Sequence, residues 1–166
     1  MASAEAGAAV TRYAAKTEVS AEKSRAEIES TLRRYGATGF MSGWQGNQAT
    51  IGFLIKDRHI RFILPLPDPK AKEFTVDPRF SWKPRAAGAA TAAYEQAVRQ
   101  RWRALALVIK AKLEAVEASI ATLETEFLAN IVMPDGKTVA EHALPAIAEA
   151  YRTGSTRNLL PNYSGE

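Results

Sequence analysis

The sequence contains no cysteine and only two histidines, His59 and His142, among its 166 residues. Disulfides, thiol nucleophiles and cysteine-ligated zinc are therefore excluded, and a histidine-rich metal site is excluded with them. No apolar run approaches the roughly 20 residues that span a bilayer, and residues 1–16 lack the continuous apolar core of a signal peptide. These absences predict a cytoplasmic protein without a membrane partner, a metal or a cofactor.

Catalytic motifs are also missing. The sequence has no glycine-rich phosphate loop and no nucleophile elbow, because Gly36, Gly39 and Gly43 match a helix cap and strand edges. The paired glutamates at 114 and 117 and at 124 and 126 are typical of a solvated helix surface. We therefore expect a non-enzymatic protein with no catalytic residues, and leave open an enzyme whose site forms between subunits.

Charge is distributed unevenly along the chain, although the net charge is only +4. Residues 56–112 hold 13 Lys and Arg against 5 Asp and Glu, whereas residues 113–166 hold 3 against 8. Such asymmetry is typical of a region that faces a polyanion beside an acidic region. Chance clustering of solvated charges is an equally good explanation.

The length predicts one domain, which we place at residues 18–155 between a disordered N-terminal tail at 1–17 and a flexible C-terminal tail at 156–166. The pattern is α+β: an N-terminal helix, a three-stranded antiparallel meander, a long amphipathic helix and a short C-terminal helix. Ser20 is a good N-cap for the first helix, and Gly36 is placed to end it.

Two turns define the predicted meander. Gly46-Asn47 is a two-residue hairpin signal, and Asp57-Arg58 is the candidate for the second turn. The second turn would set Ile55 opposite Ile60, Phe53 opposite Phe62 and Ile51 opposite Leu64. All six side chains would then share one apolar face, and the other face would be mixed and basic.

Residues 65–90 form a proline-rich loop in this interpretation, and one long helix follows from Ala92 to about Asn130, capped by Thr91. Its apolar stripe repeats every 3.67 residues on average, which favours a nearly straight helix packed on a sheet over a coiled coil. The segment 104–109 is apolar all round and should be covered on more than one side. Thr138 and Glu141 form a capping box for the final helix, which Gly154 ends.

The main functional lead is a basic and aromatic segment at residues 79–85. Cations neutralise phosphates and exposed rings stack on unpaired bases, so this mixture favours nucleic-acid binding. The competing interpretation is that both rings cover the core. The candidate residues in this segment are Arg79, Phe80, Trp82, Lys83 and Arg85.

Further cations fall on the meander and on the long helix, where they could extend the same surface. Long basic side chains beside an apolar stripe also commonly reach solvent without binding any ligand, which is the alternative. The candidates are Lys56, Arg58 and Arg61 on the meander, and Arg99, Arg101, Arg103 and Lys110 on the helix.

Two stretches carry a resemblance to known proteins: Tyr94 to Glu117, which reads YEQAVRQRWRALALVIKAKLEAVE, and Phe127 to Gly136, which reads FLANIVMPDG. They resemble a family of short, uncharacterised proteins of phages and prophages, and the likeness extends over about residues 20–155. The order of elements is loosely similar to that of single-strand annealing proteins, whose meander and long helix assemble side by side into rings.

Together these features predict a phage-type protein that binds single-stranded DNA or RNA, acts in strand annealing or recombination, and forms a homo-oligomer. The alternative is a protein-interaction module, such as a phage accessory or inhibitory protein, that binds a host or phage protein through the long helix. The apolar segment at 104–109 and the acidic C-terminal part favour that alternative.

Overall fold

The fold is known from a computed structural model that describes residues 17–156, so the predicted tails lie almost wholly outside the described residues. The predicted α+β class and order of elements are confirmed. The helices are α1 (Ala21–Arg34), α2 (Lys72–Thr75), α3 (Ala87–Glu117), α4 (Leu123–Phe127) and α5 (Val139–Thr153); the strands are β1 (Gly39–Gln45), β2 (Gln48–Ile55), β3 (Arg58–Pro65), β4 (Val76–Asp77) and β5 (Phe80–Pro84).

The meander forms a sheet in the order β1-β2-β3, and its first turn is Gly46-Asn47 as predicted. The second turn is Lys56-Asp57, with φ of 47° and 60°, so the predicted register of β2 and β3 is wrong by two residues. Phe53 lies opposite Ile60 rather than Phe62. Because the register is shifted by two residues and side chains alternate between faces with a period of two, every side chain still points to its predicted face. Lysine is unusual at a left-handed turn position, and Asp57 is not followed by glycine, so the sequence carries only a weak signal for the turn.

Helices α1 and α3 pack side by side on the apolar face of the sheet. The Gln96 side chain donates to the Thr17 carbonyl over 3.0 Å, and the Tyr35 hydroxyl donates to the Glu114 carboxylate over 2.6 Å. From the first contact to the second, the chain advances from Thr17 to Tyr35 at α1 and from Gln96 to Glu114 along α3, so the two helices run parallel. Buried side chains from both helices and from the sheet form one core.

The predicted single helix from Ala92 to about Asn130 is wrong at both ends. Helix α3 begins at Ala87, with Ala86 rather than Thr91 as its N-cap, and it ends at Glu117. At its end, Ser119 adopts a left-handed φ of 58°. The N–H groups of Ile120 and Ser119 donate to the carbonyls of Ala115 and Val116 over 2.9 and 3.1 Å, which is the Schellman pattern. This ending normally uses glycine, so a serine there conceals it in the sequence.

The chain reversal after Ser119 returns Phe127 to the core. Its ring packs edge-on against Phe53 and Phe62, with centroids 5.9 and 6.2 Å away, and its side chain is fully buried. A helix continued from Glu117 would instead carry Phe127 about 15 Å further along the axis. The predicted apolar stripe is therefore buried in two separate pieces, and Ile120 between them is exposed.

The proline-rich segment is not the continuous loop predicted for residues 65–90. It contains the short helix α2 and the two-stranded hairpin β4-β5, and its last residues already belong to α3. Phe74 of α2 attaches this segment to the rest of the fold. Its buried ring packs edge-to-face on Tyr94 of α3, with the ring centroids 5.7 Å apart. One long-range aromatic contact thus fixes the segment against the long helix.

The C-terminal part closes one side of the sheet. Ile131 bridges Ile60, and the Val132 N–H donates to the His59 carbonyl over 2.8 Å along the outer edge of β3. Helix α5 follows with the predicted capping box at Thr138 and with Gly154 in a left-handed C-cap. Within residues 17–156, no helix is long and apolar enough to cross a bilayer.

The end of α3 gives a stability prediction. Ser119→Gly should raise the free energy of unfolding by about 0.5–1 kcal/mol, because glycine adopts a positive φ without the Cβ clash. The control is Ala118→Gly, one residue earlier at a helical φ of −76°, which should lower stability by about 0.5–1 kcal/mol. Urea unfolding curves measure both. A loss of stability in both variants would contradict the left-handed ending.

Candidate nucleic-acid interface

Residues 70–85, comprising α2, β4 and β5, form a unit that we call the arm. Besides the contact between Phe74 and Tyr94, the Arg85 N–H donates to the Thr75 carbonyl over 2.8 Å and closes the base of the hairpin. The arm is therefore held at its base, while all five residues of β5 remain exposed.

The two rings of the arm form a pair. Phe80 and Trp82 lie on the same side of β5 because side chains two residues apart in a strand share a face. Their centroids are 5.2 Å apart and their planes are inclined by 56°. Trp82 is 80% exposed and Phe80 is 41% exposed, so neither ring covers the core, which was the competing interpretation.

The charge of the arm is predominantly positive, with five Lys and Arg against two acidic residues in 70–85. Asp77 accepts the Arg79 N–H over 2.9 Å, and the Arg79 Nε lies 3.6 Å from the same carboxylate oxygen. The Arg79 backbone N–H, followed by the charge of its guanidinium, holds the pKa of the Asp77 carboxyl below its usual value. Asp77 is therefore charged at neutral pH and partly offsets the arm's cations. Among the described residues, no carboxylate lies within 4 Å of the side-chain nitrogens of Lys83 or Arg85.

The candidate cations of the long helix mostly have partners inside the molecule. Arg103 forms a 2.5 Å ion pair with Glu27 of α1, and Arg101 donates to the Pro65 carbonyl over 3.0 Å. Arg99 donates two hydrogen bonds to the Gln96 side chain and lies 4.0 Å from Glu95. These arginines join elements of the fold or contact their own helix. Lys110 is exposed and has no carboxylate within 4 Å in the described part of the chain.

The candidate cations of the sheet do not share a surface. Arg58 points to the core side, where its Nε lies 3.6 Å from Glu124 of α4. Arg61 points to the outer side and forms a 2.7 Å ion pair with Glu141 of α5. Lys56 is exposed in the turn between β2 and β3. Since Arg61 and Arg103 lie on opposite sides of the sheet, the predicted continuous cationic surface from the sheet to the helix does not form.

The structure therefore brings together only one group of the predicted residues, the five on the arm. Sequence reasoning found these five through their alternation of cations and rings. It missed Asp77, the acidic residue that sits among them. The signal for Asp77 was the dipeptide Asp77-Pro78, which marks a turn and places the carboxylate beside the N–H two residues ahead.

Groups suited to acid-base or metal chemistry are dispersed across the described residues. Glu114 accepts the Tyr35 hydroxyl, Glu126 pairs with Lys112 at 3.1 Å, and Asp135 lies 2.7 Å from the His142 Nε2. These carboxylates bind neighbouring elements and line no common cleft. Within residues 17–156, no cluster of three or more potential metal ligands occurs.

No protein-family model matches the chain, and neither a curated protein nor a solved structure shows significant similarity to it. The resemblance to phage proteins therefore stays a prediction from the sequence. Functional inference rests on the chemistry of the arm and on the surfaces that the fold leaves open.

Proposed function

We propose that the protein is a non-enzymatic nucleic-acid-binding protein that prefers single strands and contacts them through the arm. The observation that carries this proposal is the exposed pair of Phe80 and Trp82, flanked by Arg79, Lys83 and Arg85. Two rings presented to solvent beside cations supply stacking for bases and neutralisation for phosphates.

Preference for single strands follows from the type of contact. A ring can stack only on a base whose face is free, and in a duplex both faces are covered by neighbouring base pairs. The arm also presents no helix of sufficient length to enter a major groove, because α2 has four residues. Base identity should matter little, since every base offers a π face.

The second candidate is a protein-interaction module that acts through α5 in the acidic C-terminal part, rather than through the long helix. The apolar stripe of α3 is covered by the sheet and α1, and within the described helix Val108 is the only large apolar side chain that is exposed. Helix α5 instead exposes Leu144, Ile147 and Tyr151 at spacings of three and four residues. An apolar stripe of this kind on a helix fits the groove of a partner protein.

Fluorescence polarisation with a labelled single-stranded oligonucleotide tests the proposal. We expect binding that weakens as salt rises, with a slope of log K against log salt of about −2 for three neutralised phosphates, and weaker binding to the matched duplex. Trp82→Ala should weaken single-strand binding by roughly 5- to 150-fold, because one stacking contact is lost. Tyr151→Ala is the control, since it removes another highly exposed ring, 90% exposed, from α5.

Three outcomes of that titration would contradict the proposal: no binding at low salt, binding without salt dependence, or equal losses in the two variants. Loss of affinity only in Tyr151→Ala would move the interface to α5. Circular dichroism of both variants confirms that each retains the fold.

Asp77 gives a prediction of increased affinity. Asp77→Asn retains the oxygen that accepts the Arg79 N–H and removes the negative charge, so the turn is kept while the arm becomes more positive. Single-strand affinity at low salt should rise up to about fivefold, the equivalent of one charge pair near 4 Å in water. The control is Asp135→Asn, where the same side-chain oxygen accepts the Lys137 N–H in another turn. Unchanged or reduced affinity in Asp77→Asn would argue against a phosphate contact at the arm.

A further inference from the structure

Strand β1 is an open edge of the three-stranded sheet. The outer edge of β3 is occupied along most of its length: Ile131 bridges Ile60, the Val132 N–H donates to the His59 carbonyl, and the Asn130 and Arg101 side chains donate to the carbonyls of Arg61 and Pro65. Within residues 17–156, no strand or bridge pairs with the outer edge of β1. The fold thus closes one edge of its sheet and leaves the other available.

The open edge also lacks the features that normally prevent pairing. Its seven residues, GFMSGWQ, contain no charge and no proline, and their pairing with β2 has no bulge. Soluble proteins usually protect a free edge with lysine, proline, a bulge or a covering loop. Met41 and Trp44 are 64% and 79% exposed, so the strand presents apolar side chains as well as free backbone groups.

The hairpin geometry identifies which backbone groups are free. The two-residue turn Gly46-Asn47 makes Gln45 and Gln48 a hydrogen-bonded pair, and such pairs alternate along an antiparallel ladder. Gly43 and Met41 therefore bond to β2. The N–H and carbonyl groups of the alternate residues, Phe40, Ser42 and Trp44, point away from the sheet.

We propose that β1 pairs with β1 of a second copy of this chain, antiparallel about a two-fold axis at Ser42. The strand is self-complementary in this register. Ser42 would face Ser42 of the partner subunit in a hydrogen-bonded pair, and Phe40 would face the partner subunit's Trp44 in the next. The two-fold axis generates a second, identical pair of Phe40 and Trp44 on its other side. Aromatic cross-strand pairs stabilise antiparallel strand pairing, so both pairs favour this interface.

The opposite face of the strand is complementary as well. Met41 would lie opposite Gly43 of the partner subunit, and a Cβ placed on Gly43 meets no atom within 4 Å, so there is room for the long side chain. Because the strand is uncharged, the two-fold axis brings no like charges together. The product is one continuous six-stranded sheet whose ends are the covered β3 edges, so assembly stops at the dimer.

This interface is independent of the arm and of the proposed nucleic-acid binding. Sedimentation equilibrium of the full chain across micromolar concentrations should show reversible association from 18.1 kDa to twice that mass. A single-chain mass at every concentration up to about 200 μM would overturn the proposal, since the dissociation constant would then lie well above that concentration. Larger open-ended assemblies would overturn it too.

Two double variants at the same positions test the register. In the proposed register, residue 41 of each subunit lies opposite residue 43 of the other, so the dimer contains two such pairs. The double variant Met41→Lys with Gly43→Lys makes both pairs lysine opposite lysine. The double variant Met41→Lys with Gly43→Glu makes both pairs lysine opposite glutamate. We expect the dimer dissociation constant of the first variant to exceed that of the second by at least about tenfold. Equal constants would overturn the proposed register.

The tryptophans supply a second test that leaves the backbone unchanged. Trp44→Ala removes both aromatic pairs and should raise the dissociation constant roughly 2- to 30-fold. Trp82→Ala is its matched control, because Trp82 is 80% exposed on the arm and is absent from β1. Equal effects of the two substitutions would overturn the assignment of the interface to β1.

Discussion

The packing of Phe127 between Phe53 and Phe62 is the interaction on which the rest of the fold depends. It requires the chain to reverse after α3, and that reversal requires Ser119 in a left-handed conformation. Once Phe127 is in place, the following residues reach β3, where Ile131 and Val132 cover the sheet edge and position α5. The conformational free-energy cost of the left-handed Ser119 is thereby offset by the burial of Phe127 among aromatic rings. Backbone strain persists in proteins only where the surrounding structure compensates for it in this way.

The same fold separates cations that stabilise it from cations that are available to a ligand. Arg61, Arg101 and Arg103 each bond to a residue at least 36 positions away in sequence, so they hold elements together. The arm is attached through Phe74 at its base and leaves its rings and Lys83 in solvent. The positive charge of residues 56–112 therefore lies in two settings, within the ion pairs and hydrogen bonds of the fold and beside the exposed rings of the arm.

Local signals in the sequence predicted the parts of the fold that depend on local physics. The caps at Ser20 and Thr138, the Gly46-Asn47 turn and the two faces of the meander follow from hydrogen bonding and side-chain alternation within a few residues. The turns at Lys56-Asp57 and Ser119 were missed because tertiary packing holds non-glycine residues at positive φ there. Ion pairs such as Arg103 with Glu27 were not predictable either, since they join helices 76 residues apart. In the arm, composition indicated the chemistry, whereas its hairpin depends on the distant Tyr94.

The chain holds three tryptophans in three different settings: Trp44 on the free strand edge, Trp82 on the arm and Trp102 in the core. The most direct test of the central claim is a titration of the protein with a short single-stranded oligonucleotide, followed through the three indole N–H signals by NMR. If bases stack on the arm, the Trp82 signal shifts progressively while the buried Trp102 signal stays in place. An unmoved Trp82 signal at saturating oligonucleotide would contradict the account.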